Sequence, residues 1–333
     1  MHVNIRNVFF IIFLLCFLTA CEEVDLANKS KQAPSVESGA TQKNEEVKKM
    51  ILPDTPLQKG DQGEDVKAVQ HILKSIGYTV KESGIFDEET VWAMTDIQLQ
   101  QSDSLEVTGL YNHEVKAILE NCLEEKVDIQ PGNGFDENNI EFNPYEILVL
   151  VNKKHMLPED FVPEDLVVPD VPFPFTEDLP KKMMRKPAAA ALEKLFAAAQ
   201  KADLNLFAQS GYRSYERQKE LYTAYVERDG EDAANKYSAQ PGQSEHQTGL
   251  AMDVTSPDVN FLLNEAFGET DEGKWIKEHC HEFGFIIRYP KGKQSITEYQ
   301  FEPWHLRYVG EKAAKEIMEK GITLEEYLED LSY

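Results

Sequence analysis

Positive charge is what this chain has least of: 34 Lys and Arg stand against 59 Asp and Glu, a formal charge of −25 over 333 residues. So acidic a chain repels phosphate backbones and anionic headgroups, which argues against nucleic-acid binding and against electrostatic docking on lipid. Cysteine is scarce as well. Of the four, Cys16 and Cys21 lie near the start, leaving Cys122 and Cys280 for at most one disulfide, with two free buried thiols equally compatible. The apolar run at residues 8–18 falls short of the roughly 20 residues that a membrane-spanning helix needs.

That run has another use. Arg6 precedes it and Thr19-Ala20-Cys21 follows it, the order of an export signal over residues 1–21. Leu18-Thr19-Ala20-Cys21 resembles the lipobox of bacterial lipoproteins. The resemblance implies lipidation of Cys21 and a mature chain on the extracytoplasmic face of the cell membrane, held there by the lipid alone. Residues 22–56 are rich in Glu, Lys, Ser, Gln and Asn and cannot bury enough surface to offset their ordering entropy, so they read as a flexible tether. A coil of this length spans about 30 Å, enough to let the rest of the chain reach away from a bilayer and towards the cell wall.

A small three-helix domain is expected over 57–120. Val66, Val69, Ile72 and Leu73 fall at helical spacing, as do Val91, Met94 and Ile97, with a shorter echo at Val115, Ile118 and Leu119. Glycine turns at Gly60, Gly63, Gly84 and Gly109 separate them. The order Gly60-Asp61-x-Gly63-x-x-Val66-x-x-x-Gln70, then Gly84-x-Phe86-x-x-x-Thr90, resembles the peptidoglycan-binding module found beside wall-processing enzymes. Ile97 stands where that module usually has an aromatic, and His113 where it usually has Thr. Tyr78, Phe86 and Trp92 are candidates for stacking on sugar rings, although aromatics at helical spacing more often form core.

Residues 121–143 turn acidic and polar around Pro131-Gly132-Asn133-Gly134 and read as a linker. The remainder, 144–333, is expected to be an α+β domain: a small antiparallel sheet with flanking helices. Ile147-Leu148-Val149-Leu150-Val151 has the composition of a buried strand, 188–202 is an amphipathic helix, 204–210 a second strand, and 215–226 a helix. A helix or two should close the domain over 310–333, its last acidic turns solvated.

Chemistry concentrates in Ser244-Glu245-His246-Gln247-Thr248-Gly249-Leu250-Ala251-Met252-Asp253. If Leu250, Met252 and Val254 enter a core, strand alternation turns Ala251 and Asp253 to the other face, a short turn after His246. A carboxylate and an imidazole converging so suit a divalent metal, but two ligands do not make a site. The third lies downstream in Glu302-Pro303-Trp304-His305. Residues three apart on an ideal strand face opposite ways; Pro303 permits a bend that brings both to one side. Arg213 sits at a strand end just before a helix, a place where side chains converge on clefts. His279 and His281, two apart on an expected helix, point about 200° apart and cannot chelate one ion. His71, His113 and His155 have no ligand partner at suitable spacing.

Ser210-Gly211-Tyr212-Arg213-Ser214, then Ser244-x-His246-x-x-Gly249-x-Ala251-x-Asp253, then Glu302-x-x-His305, together with Leu150-Val151-Asn152-Lys153 ahead of them, resemble the VanY-type zinc D-alanyl-D-alanine carboxypeptidases over about 145–310. The resemblance implies that His246, Asp253 and His305 bind Zn2+, that Glu302 is the catalytic base, and that Arg213 clamps an anion. Gln218 and Ser244 match substrate-holding positions. The implied activity is removal of the C-terminal D-alanine from peptidoglycan stem peptides by D,D-cleavage of pentapeptides, with L,D-cleavage of tetrapeptides as the alternative. A non-catalytic wall-binding lipoprotein is the reading from another class; it is disfavoured because all four metal and base positions are filled.

Overall fold

The computed structural model describes residues 51–132 and 143–331, all within one compact unit spanning 46–333. The export signal with Cys21, nearly all of the tether, and residues 133–142 of the linker lie outside the described residues. Among the described residues no helix is long and apolar enough to cross a membrane.

Three helices open the chain: α1 (Glu64–Ser75), α2 (Glu88–Gln100) and α3 (His113–Leu123). Asp87 caps α2 by accepting from the Thr90 amide, and Asn112 caps α3 by accepting from the amides of Glu114 and Val115. The echo seen in the sequence has a structural counterpart in two buried glutamines. Gln70 on α1 takes the Gly84 amide and donates to the Ile85 carbonyl; Gln98 on α2 takes the Thr108 and Gly109 amides and donates to the Leu110 carbonyl. Each glutamine thus satisfies the backbone of the glycine turn that follows. Tyr78 and Phe86 belong to the core of this domain with Val66, Ile72, Met94 and Leu119, so neither stands free to stack on a sugar.

A second core builds the rest. The strands β1 (Leu166–Val167) and β2 (Met184–Arg185) pair with each other. The helix α4 (Lys186–Lys201) follows, then β3 (Phe207–Ser210), α5 (Tyr215–Asp229), α6 (Glu231–Tyr237), β4 (Ala251–Thr255), α7 (Asp271–His279), β5 (Phe285–Tyr289), β6 (Glu302–Tyr308), α8 (Glu311–Lys320) and α9 (Leu324–Leu331). The main sheet has the order β3-β4-β6-β5 and is antiparallel throughout. Leu250, Met252, Val254 and Leu306 fill one of its faces, in the same apolar cluster as Ala188, Leu192, Leu195 and Ala199 of α4. Mixed helices and small antiparallel sheets behind a helical domain are the α+β class expected. Cys122 and Cys280 are free, and Cys280 is buried.

Two expectations fail. Ile147, Leu148, Val149 and Val151 are buried, yet they lie in a turn and the irregular backbone after it, with no strand. Their backbone is satisfied from outside any ladder: Arg307 Nη2 donates to the carbonyls of Ile147 (2.9 Å) and Val149 (2.8 Å). The acidic start of α9 is not merely solvated either. Glu325 pairs with Arg288 and Glu326 with Lys293.

The two cores are in direct contact. Gln58 Nε2 donates to the Tyr327 hydroxyl (3.1 Å), the Ile147 amide donates to the Thr108 carbonyl (3.3 Å), and fully buried Arg185 donates to the carbonyls of Tyr145 and Val107.

Gly249 turns the chain from the His246 segment into β4 with φ +69°, and a Cβ there would stand 2.8 Å from Arg185 Cγ and 2.9 Å from Leu166 Cδ2. Positive φ and close approach both oppose a side chain. Gly249→Ala is expected to destabilise the fold by about 1–3 kcal/mol, seen as a lower melting temperature in thermal unfolding; an unchanged melting temperature would contradict this account of the turn.

Candidate active site

The pairing of β4 with β6 sets Asp253 directly opposite His305. One bulge makes Glu302 a neighbour: β5 and β6 match Ile287 with Leu306 and then Tyr289 with Glu302, so β6 carries two extra residues across that interval. Pro303, Trp304 and His305 lie in it. The distortion expected around Pro303 is therefore present, and Glu302 Oε2 comes to 3.9 Å from His305 Nδ1.

His246 enters from a short 3-10 turn, Glu245–Thr248, just ahead of β4. Its Nδ1 lies 2.8 Å from the Gly211 carbonyl, which can only accept, so Nδ1 carries the proton and Nε2 presents a lone pair. That Nε2 stands 3.4 Å from Asp253 Oδ2, and His305 Nδ1 stands 3.1 Å from Asp253 Oδ1. Asp253 Oδ1 is a buried oxygen without a hydrogen-bond partner. One ligand atom from each of the three residues falls within 4.8 Å of the others. A tetrahedral ion with bonds near 2.0–2.1 Å has donor–donor edges of about 3.3 Å, so the spacing and the N, N, O donor set fit a divalent metal. The two imidazoles meet edge to face at 4.9 Å, and the Tyr289 ring backs His305 at 5.0 Å.

The side chains of His246, Asp253 and His305 at the floor of this cleft are buried. Burial, with Arg213 nearby, pushes His246 down to about 3. Burial would lower His305 too, but the carboxylates of Asp253 and Glu245 outweigh it and push it up to about 9. Burial pushes Glu302 up to about 7 against the opposing pull of His305, with Asp253 adding to the rise.

A cavity of about 390 Å3 opens above these groups, lined among others by Arg213, Gln218, Ser244, Tyr225, Tyr299 and Trp304. Every catalytic, metal-binding and substrate-holding residue named from the sequence of the second domain therefore borders one cleft. Gln218 lines the cleft and is hydrogen-bonded to Arg213. Its Oε1 accepts from Arg213 Nη1 (2.8 Å) and its Nε2 donates to the Ala239 carbonyl (2.6 Å), so it aims the guanidinium. Ser244 is buried at the cleft wall. Of the other histidines, His71 pairs with Glu82, His155 with Asn152 and His279 with Glu282, all away from the cleft.

Glu245 went unremarked in the sequence, where it is one more acid beside a histidine. In the structure it is buried beneath His305, with Oε2 at 3.4 Å from Nε2 of that ring and Oε1 held by Arg288 and Arg307. Its neighbours Gln243, Ser244, His246 and Gln247 are polar too, so no local pattern set it apart.

Known proteins share these features. The profile of the VanY family, described as D-alanyl-D-alanine carboxypeptidase, matches residues 181–311, and that of the "Putative peptidoglycan binding domain" matches residues 62–119. The Bacillus subtilis (strain 168) protein "Putative carboxypeptidase YodJ" is 55% identical over 187 residues, 56% of this chain and 68% of that protein. A D-alanyl-D-alanine carboxypeptidase of Enterococcus faecalis (strain ATCC 700802 / V583) is 40% identical over 146 residues, 41% of this chain and 52% of that protein. The solved structure of the LdcB LD-carboxypeptidase, described as revealing the basis of peptidoglycan recognition, is 55% identical and covers 56% of this chain and 87% of its own, with a TM-score of 0.55. Fold, cleft and comparisons define a carboxypeptidase acting on peptidoglycan, with a peptidoglycan-binding domain ahead of it. The chain belongs to the VanY D-alanyl-D-alanine carboxypeptidase family.

Asp253 carries the only carboxylate in the donor set. Asp253→Ala is expected to abolish stoichiometric binding of a divalent ion, measured by metal analysis after equilibrium dialysis; retained stoichiometric metal would remove Asp253 from the set.

Proposed function

We propose that this protein is a zinc carboxypeptidase that removes the C-terminal D-alanine from peptidoglycan stem peptides, with His246, Asp253 and His305 as the metal ligands. The observation that carries this reading is the convergence of two imidazole nitrogens and a carboxylate oxygen within 4.8 Å, beside a second carboxylate, in one cleft. Zinc held there supplies a water of lowered pKa and a Lewis acid for the scissile carbonyl.

The chain's own residues supply the rest. Glu302, 3.9 Å from His305 Nδ1 at the edge of the donor set, takes the proton of the attacking water and hands it to the leaving amino group. Arg213 is partly buried in the cleft wall and aimed by Gln218, so it meets the developing negative charge or the substrate carboxylate with little reorganisation. Ser244 lines the same wall and contacts the substrate. The Gly211 carbonyl keeps His246 in the tautomer that offers Nε2.

Between the two specificities, tetrapeptides cleaved at an L,D bond are favoured over pentapeptides cleaved at a D,D bond. The support is the graded identity: 55% to an LD-carboxypeptidase against 40% to a D-alanyl-D-alanine carboxypeptidase. The order is the reverse of the one drawn from the motifs, which both specificities share. The chain acts outside the cytoplasmic membrane, with residues 1–21 as export signal, Cys21 as the lipidated residue, and 22–56 as the tether that lets the domains at 57–120 and 144–333 reach the wall.

Two measurements test this. Purified chain incubated with muropeptides of four and five residues should release D-alanine from the tetrapeptide, with mass spectrometry of the products; release from the pentapeptide alone would restore the D,D assignment, and release from neither would sink the reading. Glu302→Gln should lower kcat by about 10²–10⁴-fold while one zinc per chain is retained; full activity in that variant would remove Glu302 as the base.

A further inference from the structure

Behind His305 lies a set of buried charges that the donor set does not use. Glu245 Oε1 accepts from Arg288 Nε (2.6 Å) and from Arg307 Nη1 (2.7 Å), and its Oε2 faces His305 Nε2 at 3.4 Å. The side chains of Glu245, Arg288 and Arg307 are wholly excluded from solvent. Both terminal nitrogens of Arg288 continue to Glu325 on α9, at 2.8 and 2.6 Å. Arg307 spends Nη2 on the carbonyls of Ile147 and Val149. Two carboxylates and two guanidiniums thus form a neutral group, and each guanidinium is held at several of its nitrogens.

This arrangement does something specific to one imidazole. A ring that donates Nε2–H to a fixed carboxylate is locked in the tautomer that leaves a lone pair on Nδ1, and the carboxylate raises the basicity of that lone pair. Nδ1 is the nitrogen of His305 that faces Asp253. His246 is oriented by a neutral backbone carbonyl and His305 by a charge, so the two imidazoles differ as donors.

We propose that Glu245 is the positioning residue for His305, and that Arg288, Arg307 and Glu325 hold its carboxylate in place, which makes the carboxy-terminal helix α9 part of the metal site. The inference rests on the reading of His246, Asp253 and His305 as metal ligands. Glu325 lies beyond the residues 181–311 that match the VanY profile, so nothing in that match assigns it a part. A purely architectural role for the network predicts a different result: lower thermal stability with unaltered metal affinity.

The test uses the full chain and the variants Glu245→Gln and Glu325→Gln, which keep shape and remove charge. Zinc affinity is measured by competition with a chromophoric chelator, beside thermal unfolding of the metal-free protein and kcat and KM on the released-alanine assay. Glu245→Gln is expected to weaken zinc binding by about 10–100-fold, with kcat at limiting zinc falling and KM within about twofold. Glu325→Gln should shift affinity in the same direction by less. A folded Glu245→Gln variant that binds zinc as the parent does overturns the proposal. Should that variant not fold, the decision passes to Glu325→Gln, whose pair is partly open to solvent: weakened zinc binding there supports the proposal and parental binding overturns it. A parent chain that binds no zinc defeats the metal reading, and this proposal with it.

Discussion

Everything in the cleft depends on one register, the antiparallel pairing of β4 with β6 that puts Asp253 across from His305. Side chains on a strand alternate between faces, so a slip of one residue would turn both into the apolar layer and bring Met252 or Leu306 into the cleft. The apolar layer prevents the slip. Leu250, Met252, Val254 and Leu306 are buried on the far face against α4, and the register that buries them is the register that aligns the donors. The apolar contacts beneath the sheet therefore specify the polar geometry above it.

Burying charge is the second constraint, and it is met in two different ways on the two sides of His305. On the inner side Glu245, Arg288, Arg307 and Glu325 satisfy one another, as they must, because an unpaired charge at such depth would cost several kcal/mol. Arg307 does further work for the fold by holding the carbonyls of the irregular 147–149 stretch. On the cleft side the account is left open. Asp253 Oδ1 has no donor, and burial holds Glu302 near 7 with no charge partner closer than His305 at 3.9 Å. Local dissatisfaction of this kind, beside a layer that is fully satisfied, is where a fold keeps its chemistry.

The helical domain is fastened to the catalytic one by groups that the chain places far apart. Tyr327 near the carboxy-terminal end accepts from Gln58 near the start of the described chain, and Arg185 reaches the Val107 carbonyl. These contacts are polar and join groups far apart in sequence, so the two domains meet through specific hydrogen bonds.

Much of this was legible in the chain itself. Helical periodicity and glycine turns located α1 to α3, and amphipathic periodicity located α4, because the 3.6-residue period is a local regularity. The two-residue alternation from Leu250 to Val254 placed β4 and turned Asp253 the right way, and the set His246, Asp253, Glu302, His305 was readable because each sits in a short motif. Only the tertiary structure decided the rest. The apolar run at 147–151 reads as a strand, yet its carbonyls are met by an arginine about 160 residues away, a partner that no local pattern encodes. Glu245 carries no assigned part in the sequence and Glu325 reads as a solvated acid, since an isolated carboxylate carries no sign of the cation it will meet. Local sequence determines what a segment prefers and which face is apolar; which distant charges neutralise one another is decided when the chain closes on itself.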